Sequence, residues 1–290
     1  MRWIFYSLLG GLLLLIAYFS IASSPIEPVA LDFPRFELTT TEEPMEVEVQ
    51  LVEYCHGCED IALSKDGRYL YAGHEDGRLL RFDLQESVAP KVLTTFSSRP
   101  LGLHLVVDSL LFVAVETDGL AKVDLVSGKV DILVSDFEEV LFMLTDDVDV
   151  ATDGNVYFTD ASNKYGDEDL QLDIMEGSAN GAFYVYDPHT GTTERLLDDL
   201  HFANGVALAA DDSFVLVNET GAFRCTKYWL RGPKTGQSEI FIEGLPGWPD
   251  GISRGPDGHF YLTLISPRTG LHDFILPRPW SRTLATKLPR

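Results

Sequence analysis

DDVDVATDGNVYFTDAS, residues 146–162, decides the fold. It opens on two acids, runs through a short alternating apolar stretch, turns at Asp153-Gly154 and continues into a strand of β-branched and aromatic residues. GAFYVYDPHTGTTERLL, 181–197, completes it with another turn and two further strand-like runs. Alternation of period two closed by Asp-Gly is the pattern of antiparallel hairpins.

The same unit recurs on both sides. EDIALSKDGRYLYAGHEDGRLLRFDL occupies 59–84, and a degenerate copy, LGLHLVVDSLLFVAVETDGLAKVDLVSGKVDILV, occupies 101–134. NGVALAADDSFVLVNETGAFRCTKYWL fills 204–230, and an incomplete copy, DGISRGPDGHFYLTL, fills 250–264. A repeat of roughly 40–60 residues with four short strands per unit predicts an all-β, six-bladed-type β-propeller whose final blade is incomplete. No long helical period follows residue 22, and the insertion NKYGDEDLQLDIMEGSAN, 163–180, reads as a loop on one face of the disk. MEVEVQLVEY, 45–54, alternates strongly and reads as a strand completing the last blade. The Pro-rich, basic tail SPRTGLHDFILPRPWSRTLATKLPR, 266–290, does not read as a blade.

Ahead of the repeats, WIFYSLLGGLLLLIAYFSIA, 3–22, is apolar or small throughout. Some 20 such residues match a hydrocarbon core of about 30 Å. Ser20-Ile21-Ala22 resembles a cleavage site, but the run exceeds a signal peptide's apolar core. The expected organisation is a transmembrane signal-anchor over 1–22, a linker over 23–44 and a propeller over 45–290. Arg2 precedes the span and acidic sequence follows it. The positive-inside rule therefore puts the N-terminus in the cytosol and the globular part on the luminal, extracellular or periplasmic side.

The net charge is −23, and no basic stripe is present to neutralise phosphates, which argues against nucleic-acid binding. Of three cysteines, Cys55 and Cys58 either form a disulfide in an oxidising compartment or stand unlinked beside a turn. Zinc-type spacing is absent. Asn218-Glu219-Thr220 is a glycosylation sequon inside an apparent strand.

In a propeller the first strand of every blade lines the central channel, so residues opening those strands converge. Here they are Glu59 and Asp60, Asp146 and Asp147, Asn204, and Asp250. One such acid reads as a turn residue. The same phase in several repeats points to a shared site for a hard, oxygen-seeking divalent cation, calcium above all. No His or Cys holds these positions, which argues against zinc. Ser162 and Ser253 lack a nucleophile-elbow context.

GCEDIALSKDGRYLYAG (57–73), the 146–162 stretch, HFANGVALAADDSFVLVNETGAFRCTKYWLRGPKTG (201–236) and LPGWPDGIS (245–253) resemble the strictosidine synthase-like family. They are most similar to its adipocyte plasma membrane-associated protein branch, over about residues 45–280. The family is related to the paraoxonases and gluconolactonases, six-bladed propellers with a divalent cation in the channel. The resemblance implies metal ligands at Glu59, Asp146, Asn204 and Asp250. Asp146-Asp147 stands where related lactonases often have Asn-Asp, and Gly251 where Asn can follow the acid. It also implies a calcium-dependent hydrolase of esters or lactones, with Asp250 or Glu59 as the catalytic base. Paraoxonases carry a His at the second-blade opening, where this chain has Leu101; His104 reads as a packed strand residue. One alternative is a non-catalytic, membrane-anchored propeller with a structural metal. Another is amine–aldehyde condensation of the strictosidine synthase type, whose late glutamate has no visible counterpart here.

Overall fold

The computed structural model describes Tyr6 and residues 17–34, 54–86 and 88–287. The expected strand at 45–54 and most of the apolar run at 3–22 lie outside the described residues. Residues 17–21 are helical. No helix among the described residues is long and apolar enough to cross a membrane.

Four antiparallel four-stranded sheets follow one another, each with its strands in chain order. The first holds β1 (Ile61–Leu63), β2 (Tyr69–Gly73), β3 (Arg78–Asp83) and β4 (Lys91–Thr95). The second holds β5 (Pro100–Val107), β6 (Leu110–Val115), β7 (Gly119–Asp124) and β8 (Val130–Val134). A small hairpin, β9 (Asp136–Phe137) and β10 (Val140–Leu141), precedes the third sheet. That sheet comprises β11 (Thr145–Val150), β12 (Val156–Asp160), β13 (Gly181–Asp187) and β14 (Thr192–Leu200). The fourth comprises β15 (Ala203–Leu208), β16 (Phe214–Glu219), β17 (Arg224–Trp229) and β18 (Ser238–Glu243). A two-stranded sheet ends the series: β19 (Gly247–Arg254) with β20 (Phe260–Pro267).

One device repeats at the first turn of four sheets. Asp66, Asp153, Asp211 and Asp257 each accept, through a carboxylate oxygen, the N–H of the residue two places on. This side-chain turn is the physical content of the recurring Asp-Gly or Asp-Asp signal.

Inner strands contact in sequence: β1 with β5, β5 with β11, β11 with β15, and β15 with β19. The sheets therefore radiate from a common axis, with the core between their faces. Leu79 and Tyr71 meet Leu111 and Val113 across the first gap. Phe112 and Ala114, on the other face of β6, meet Phe158 and Tyr184. Phe183 and Tyr157 meet Val206 and Val215, and Leu216 and Ala207 meet Ile252. A strand buried on both faces reads as a continuous apolar run, as LLFVAV does at 110–115.

Two glycines let inner strands approach. A Cβ on Gly102 would lie 2.5 Å from the Asp147 Cα, and one on Gly205 would lie 2.5 Å from the Asp250 carbonyl oxygen. Leu101-Gly102 and Asn204-Gly205 therefore place a channel residue and a backbone-to-backbone contact side by side.

The segments that did not read as strands are partly helical. The insertion forms a 3-10 turn (Asp167–Asp169) and α1 (Leu170–Glu176) rather than a loop. The tail forms α2 (Gly270–Ile275) and α3 (Pro279–Thr286). None exceeds about two turns, too short for a helical period to stand out. Asn218 is fully buried on β16 and its amide donates to the Asp250 carbonyl, so the sequon is shielded in the folded chain.

Asp160 ends β12 almost fully buried, accepting the Leu144 N–H at 3.0 Å. Burial pushes its carboxyl up to about 7. Between the ordinary carboxylate range and pH 7 the native state thus holds a proton that the unfolded chain has lost. This group's contribution to stability falls as pH rises through that window. Asp160→Asn keeps the acceptor and removes the charge. Denaturant melts should show the variant level with wild type near pH 4 and more stable at pH 8, by roughly 2–4 kcal/mol. A variant less stable at pH 8 would contradict a buried, titrating Asp160.

Candidate active site in the central channel

The inner-strand openings form a constriction between two chambers. The upper chamber, about 820 Å³, has an apolar wall that includes Leu144, Leu170, Ile174, Phe202, Trp248 and Ile275. The lower, about 350 Å³, is lined by Asp60, His104, Asp147, Asp149 and Arg254 among others. Glu59, Leu101, Asp146, Asn204 and Asp250 border both. The structure thus brings the four sequence-derived ligand candidates together, with Leu101 as the apolar fifth member of the ring.

The paired acids divide their labour. Asp60 accepts Ile61 N–H with one oxygen and Leu103 N–H of the next sheet with the other, at 2.7 and 2.8 Å. Asp147 accepts Val148 N–H and Val206 N–H, both at 2.7 Å. Asp149 repeats the pattern two residues on with Val150 and Leu208. These carboxylates brace neighbouring inner strands. Glu59 and Asp146 are the members of their pairs that border the upper chamber. The disulfide Cys55–Cys58 closes the loop just before Glu59, and Cys58 itself lines that chamber.

The constriction is electrostatically costly. Burial, then Asp250, pushes Glu59 up to about 7, with Arg99 opposing. Burial, then Glu59 and Asp250, holds Asp146 well above the usual carboxylate range. Burial also raises Asp250, against the hydrogen bond from Asn204. That bond, Asn204 Nδ2 to Asp250 Oδ1, is 2.8 Å. It orients the amide and leaves its oxygen free of this contact.

Three carboxylates and an amide oxygen suit a hard divalent cation, and the shared rise in pKa marks buried, mutually repelling carboxyls that Arg99 offsets only in part. The donor chemistry therefore fits calcium. Among the described residues no three His, Cys, Asp or Glu side chains by themselves form a group able to hold a metal ion. Asn204 would have to contribute.

Two polar residues of the upper chamber escape sequence reasoning. Arg99, just before β5, reaches Glu59 at 3.5 Å and Asp167 at 3.8 Å and donates to the Gly57 carbonyl. His272 comes from α2. Its ring meets Trp248 edge-on with centroids 5.3 Å apart, and its Nδ1 accepts the Thr269 N–H. Burial and Arg268 lower its pKa, so the imidazole is neutral at pH 7 with the proton assigned to Nε2. His104 lies beyond the constriction on β5, its Nδ1 2.8 Å from Asp149 Oδ1. Trp248 sits on the rim against Phe223, whereas Trp229 lies outside the channel and meets Phe214 edge-on.

The upper chamber is roofed by segments from three parts of the chain. Residues 26–34, inside the stretch read as a linker, run beneath α2 and α3. Val29 N–H donates to the Glu176 carbonyl and Leu31 N–H to the Leu276 carbonyl. Glu176, buried on α1, accepts from Lys164, Tyr165 and the Glu27 N–H.

Comparison with known proteins places the chain. The family model described as "Strictosidine synthase" matches residues 146–233, and "Strictosidine synthase-like, N-terminal" matches 49–82. Strictosidine synthase-like protein 6 of Arabidopsis thaliana is 37% identical over 78% of this chain, which spans 61% of that relative's length. The human adipocyte plasma membrane-associated protein is 32% identical over 97% of this chain and 71% of its own. Among solved structures, a gluconolactonase from Xanthomonas campestris superposes with a TM-score of 0.59 at 21% identity, covering 72% of this chain and 70% of that one. The calcium-binding protein regucalcin from Agrobacterium tumefaciens gives 0.56 at 18% identity, covering 71% and 67%. At such identities these structures speak to the fold, which they share.

Proposed function

Because the chain belongs to the strictosidine synthase-like family, we propose that it is a membrane-anchored, calcium-dependent hydrolase of esters or lactones. The reaction takes place at the floor of the upper chamber. The observation that carries this reading is the constriction itself: Glu59, Asp146, Asn204 and Asp250 border an apolar chamber, with the three acids pushed up by burial. The names of a gluconolactonase and of a calcium-binding regucalcin among proteins of like fold support the substrate class and the cation.

Glu59, Asp146, Asn204 and Asp250 would hold the ion, which when bound supplies a Lewis acid for the carbonyl and a positive charge for the developing oxyanion. The apolar wall binds the hydrocarbon part of the substrate and excludes bulk water. Glu59 and Asp250, at the chamber floor, are the candidate bases that would take a proton from water. His272, with its proton on Nε2, is a hydrogen-bond donor in the same chamber. The anchor at 3–22 places this domain on the non-cytosolic side. A bonded Cys55–Cys58 pair agrees with an oxidising compartment, and the human relative is named for its membrane association.

The test is turnover of phenyl acetate and aliphatic lactones by the full chain, with calcium and with EDTA. Hydrolysis should vanish on chelation and return with calcium. Asn204→Ala should lower kcat/KM by about a hundredfold. Turnover indifferent to both would remove the calcium site from the mechanism, and no turnover of any ester or lactone would remove the hydrolase reading.

One observation favours a non-catalytic propeller braced by its metal. Leu101, not an imidazole, borders the constriction at the second-sheet opening, and His104 is engaged with Asp149 below it. Tight calcium binding without turnover of any ester or lactone would support that reading.

A further inference from the structure

The cap formed by α2 and α3 wears its apolar residues outside. From Leu271 to Lys287 the exposed residues are Leu271, Phe274, Trp280, Leu284 and Ala285. Leu271 is 64% exposed and Trp280 58%. Leu271 and Phe274 are three apart, and Trp280 and Leu284 four apart, so each pair shares a helix face. The charged groups of the same stretch turn away. Arg282 is fully buried, and Asp273 accepts from Arg268 at 2.8 Å. Arg278 lies over the Phe274 ring and donates to its carbonyl. This reverses the usual order of a surface helix in water.

Two independent observations say what covers this face. First, α3 is stitched to the end of the apolar run 3–22. Tyr18 Oη donates to the Lys287 carbonyl at 2.6 Å, and Lys287 Nζ donates to the Phe19 carbonyl at 2.9 Å. Ser24 and Thr286 hydroxyls meet at 3.0 Å. Second, Arg278, over the exposed Phe274 ring, and Lys287, at the end of α3, are partly exposed cations in a chain of net charge −23, whereas Arg268 and Arg282 point inward.

We propose that the α2–α3 cap is seated in the interface of a lipid bilayer, with Leu271, Phe274, Trp280 and Leu284 at the acyl boundary and Arg278 and Lys287 toward the headgroups. The inference rests on the proposed anchor at 3–22, which fixes α3 at the membrane surface. α2 also supplies His272, Ile275 and Leu276 to the chamber wall. One short helix therefore separates the proposed reaction chamber from lipid, and an amphiphile would reach the chamber from the membrane phase.

The test uses the full chain in vesicles of phosphatidylcholine and phosphatidylserine whose acyl chains carry bromine, a short-range quencher of tryptophan. The four tryptophans are Trp3, Trp229, Trp248 and Trp280. Trp280→Phe, at an exposed position, leaves the core intact. It should remove a fluorescence component that bromine quenches and aqueous iodide does not. If the lost component is quenched by iodide and untouched by bromine, Trp280 stands in water and the proposal fails. If it is shielded from both, the face is covered by protein, whether a second copy or another segment, and the proposal fails. Trp3→Phe reports the anchor separately. A bromine-quenched Trp3 beside an unquenched Trp280 retains the anchor and overturns the docking. Quenching of neither overturns both.

Discussion

In EDTA at pH 8, Asp146→Asn should raise the unfolding midpoint of the full chain, and if the proposed calcium site holds, the same substitution should abolish the rise expected of the wild type in millimolar calcium. Both halves follow from one electrostatic fact. Asp146 is almost fully buried, and burial, Glu59 and Asp250 all resist its ionisation. Without a cation the native state must retain a proton that water would take, or hold an uncompensated charge. A neutral amide of the same shape removes that penalty, about 1–2 kcal/mol, which in a domain of this size is roughly 2–8 °C. The proposed calcium would remove it in the wild type by binding the native state alone, worth about 4 kcal/mol at a thousandfold excess over Kd. The variant has lost a ligand and gains little.

The pH dependence has a definite sign. Glu59 near 7 and the raised Asp146 and Asp250 mean that the metal-free native state binds more protons than the unfolded chain from the ordinary carboxylate range up to about pH 7. Metal-free stability therefore falls across that window. With calcium bound the carboxylates are held ionised, and stability should be kept at pH 8. Scanning calorimetry at pH 5 and pH 8, with and without calcium, reads all of this. An Asp146→Asn variant that loses stability equally in EDTA and in calcium would reduce Asp146 to an ordinary buried acceptor.

The blades were legible because their physics is local. Period-two alternation and an Asp accepting the N–H two residues on are both written in consecutive residues, as at Asp66, Asp153 and Asp257. The ring of channel acids was legible because the repeat supplies the phase. What the repeat alone does not say is which acid of each pair does what. Asp60 and Asp147 are committed to amides of the next sheet, a contact some 43 and 59 residues away in sequence. The roof was not legible. α1 and α2 have seven and six residues, too few to display a helical period. His272 and Arg99 reach the chamber through tertiary docking rather than through a motif. Residues 26–34 dock through backbone groups of Val29 and Leu31, which carry no sequence signature, and through isolated apolar side chains of Ile26 and Leu31 without a period. The apolar outer face of the cap was equally hidden. A Pro-rich basic tail reads as irregular until Arg282 is seen to be inside and Trp280 outside.

Arg282→Met should release that roof while leaving the sheets folded. The buried guanidinium donates from Nη1 to the carbonyls of Met175 and Glu176 at 3.0 and 3.2 Å, and from Nη2 to the carbonyl of Leu276 at 3.0 Å and to that of Val29. It thus joins the C-terminal ends of α1 and α2, where helix carbonyls lack partners and the dipole is negative, to the strap at 26–34. Burial lowers its pKa, yet a guanidinium stays protonated. Removing it leaves the Met175 and Val29 carbonyls without this donor, while those of Glu176 and Leu276 keep only the Val29 and Leu31 N–H groups. Leaving a buried acceptor without its donor costs about 1–3 kcal/mol per group, and the loss falls on three short segments at once. Hydrogen exchange should show protection lost together in 26–33, 170–177 and 270–287, with β6, β12 and β16 unchanged. Arg282→Lys should restore little, because an ammonium cannot span three segments with a planar fork. If the hydrolase reading holds, an open roof also admits water to the chamber, so KM for apolar esters should rise before the sheets lose stability. Exchange that stays protected in all three segments would mean that the apolar contacts of Leu31, Leu245, Leu276 and Phe223 hold the roof by themselves.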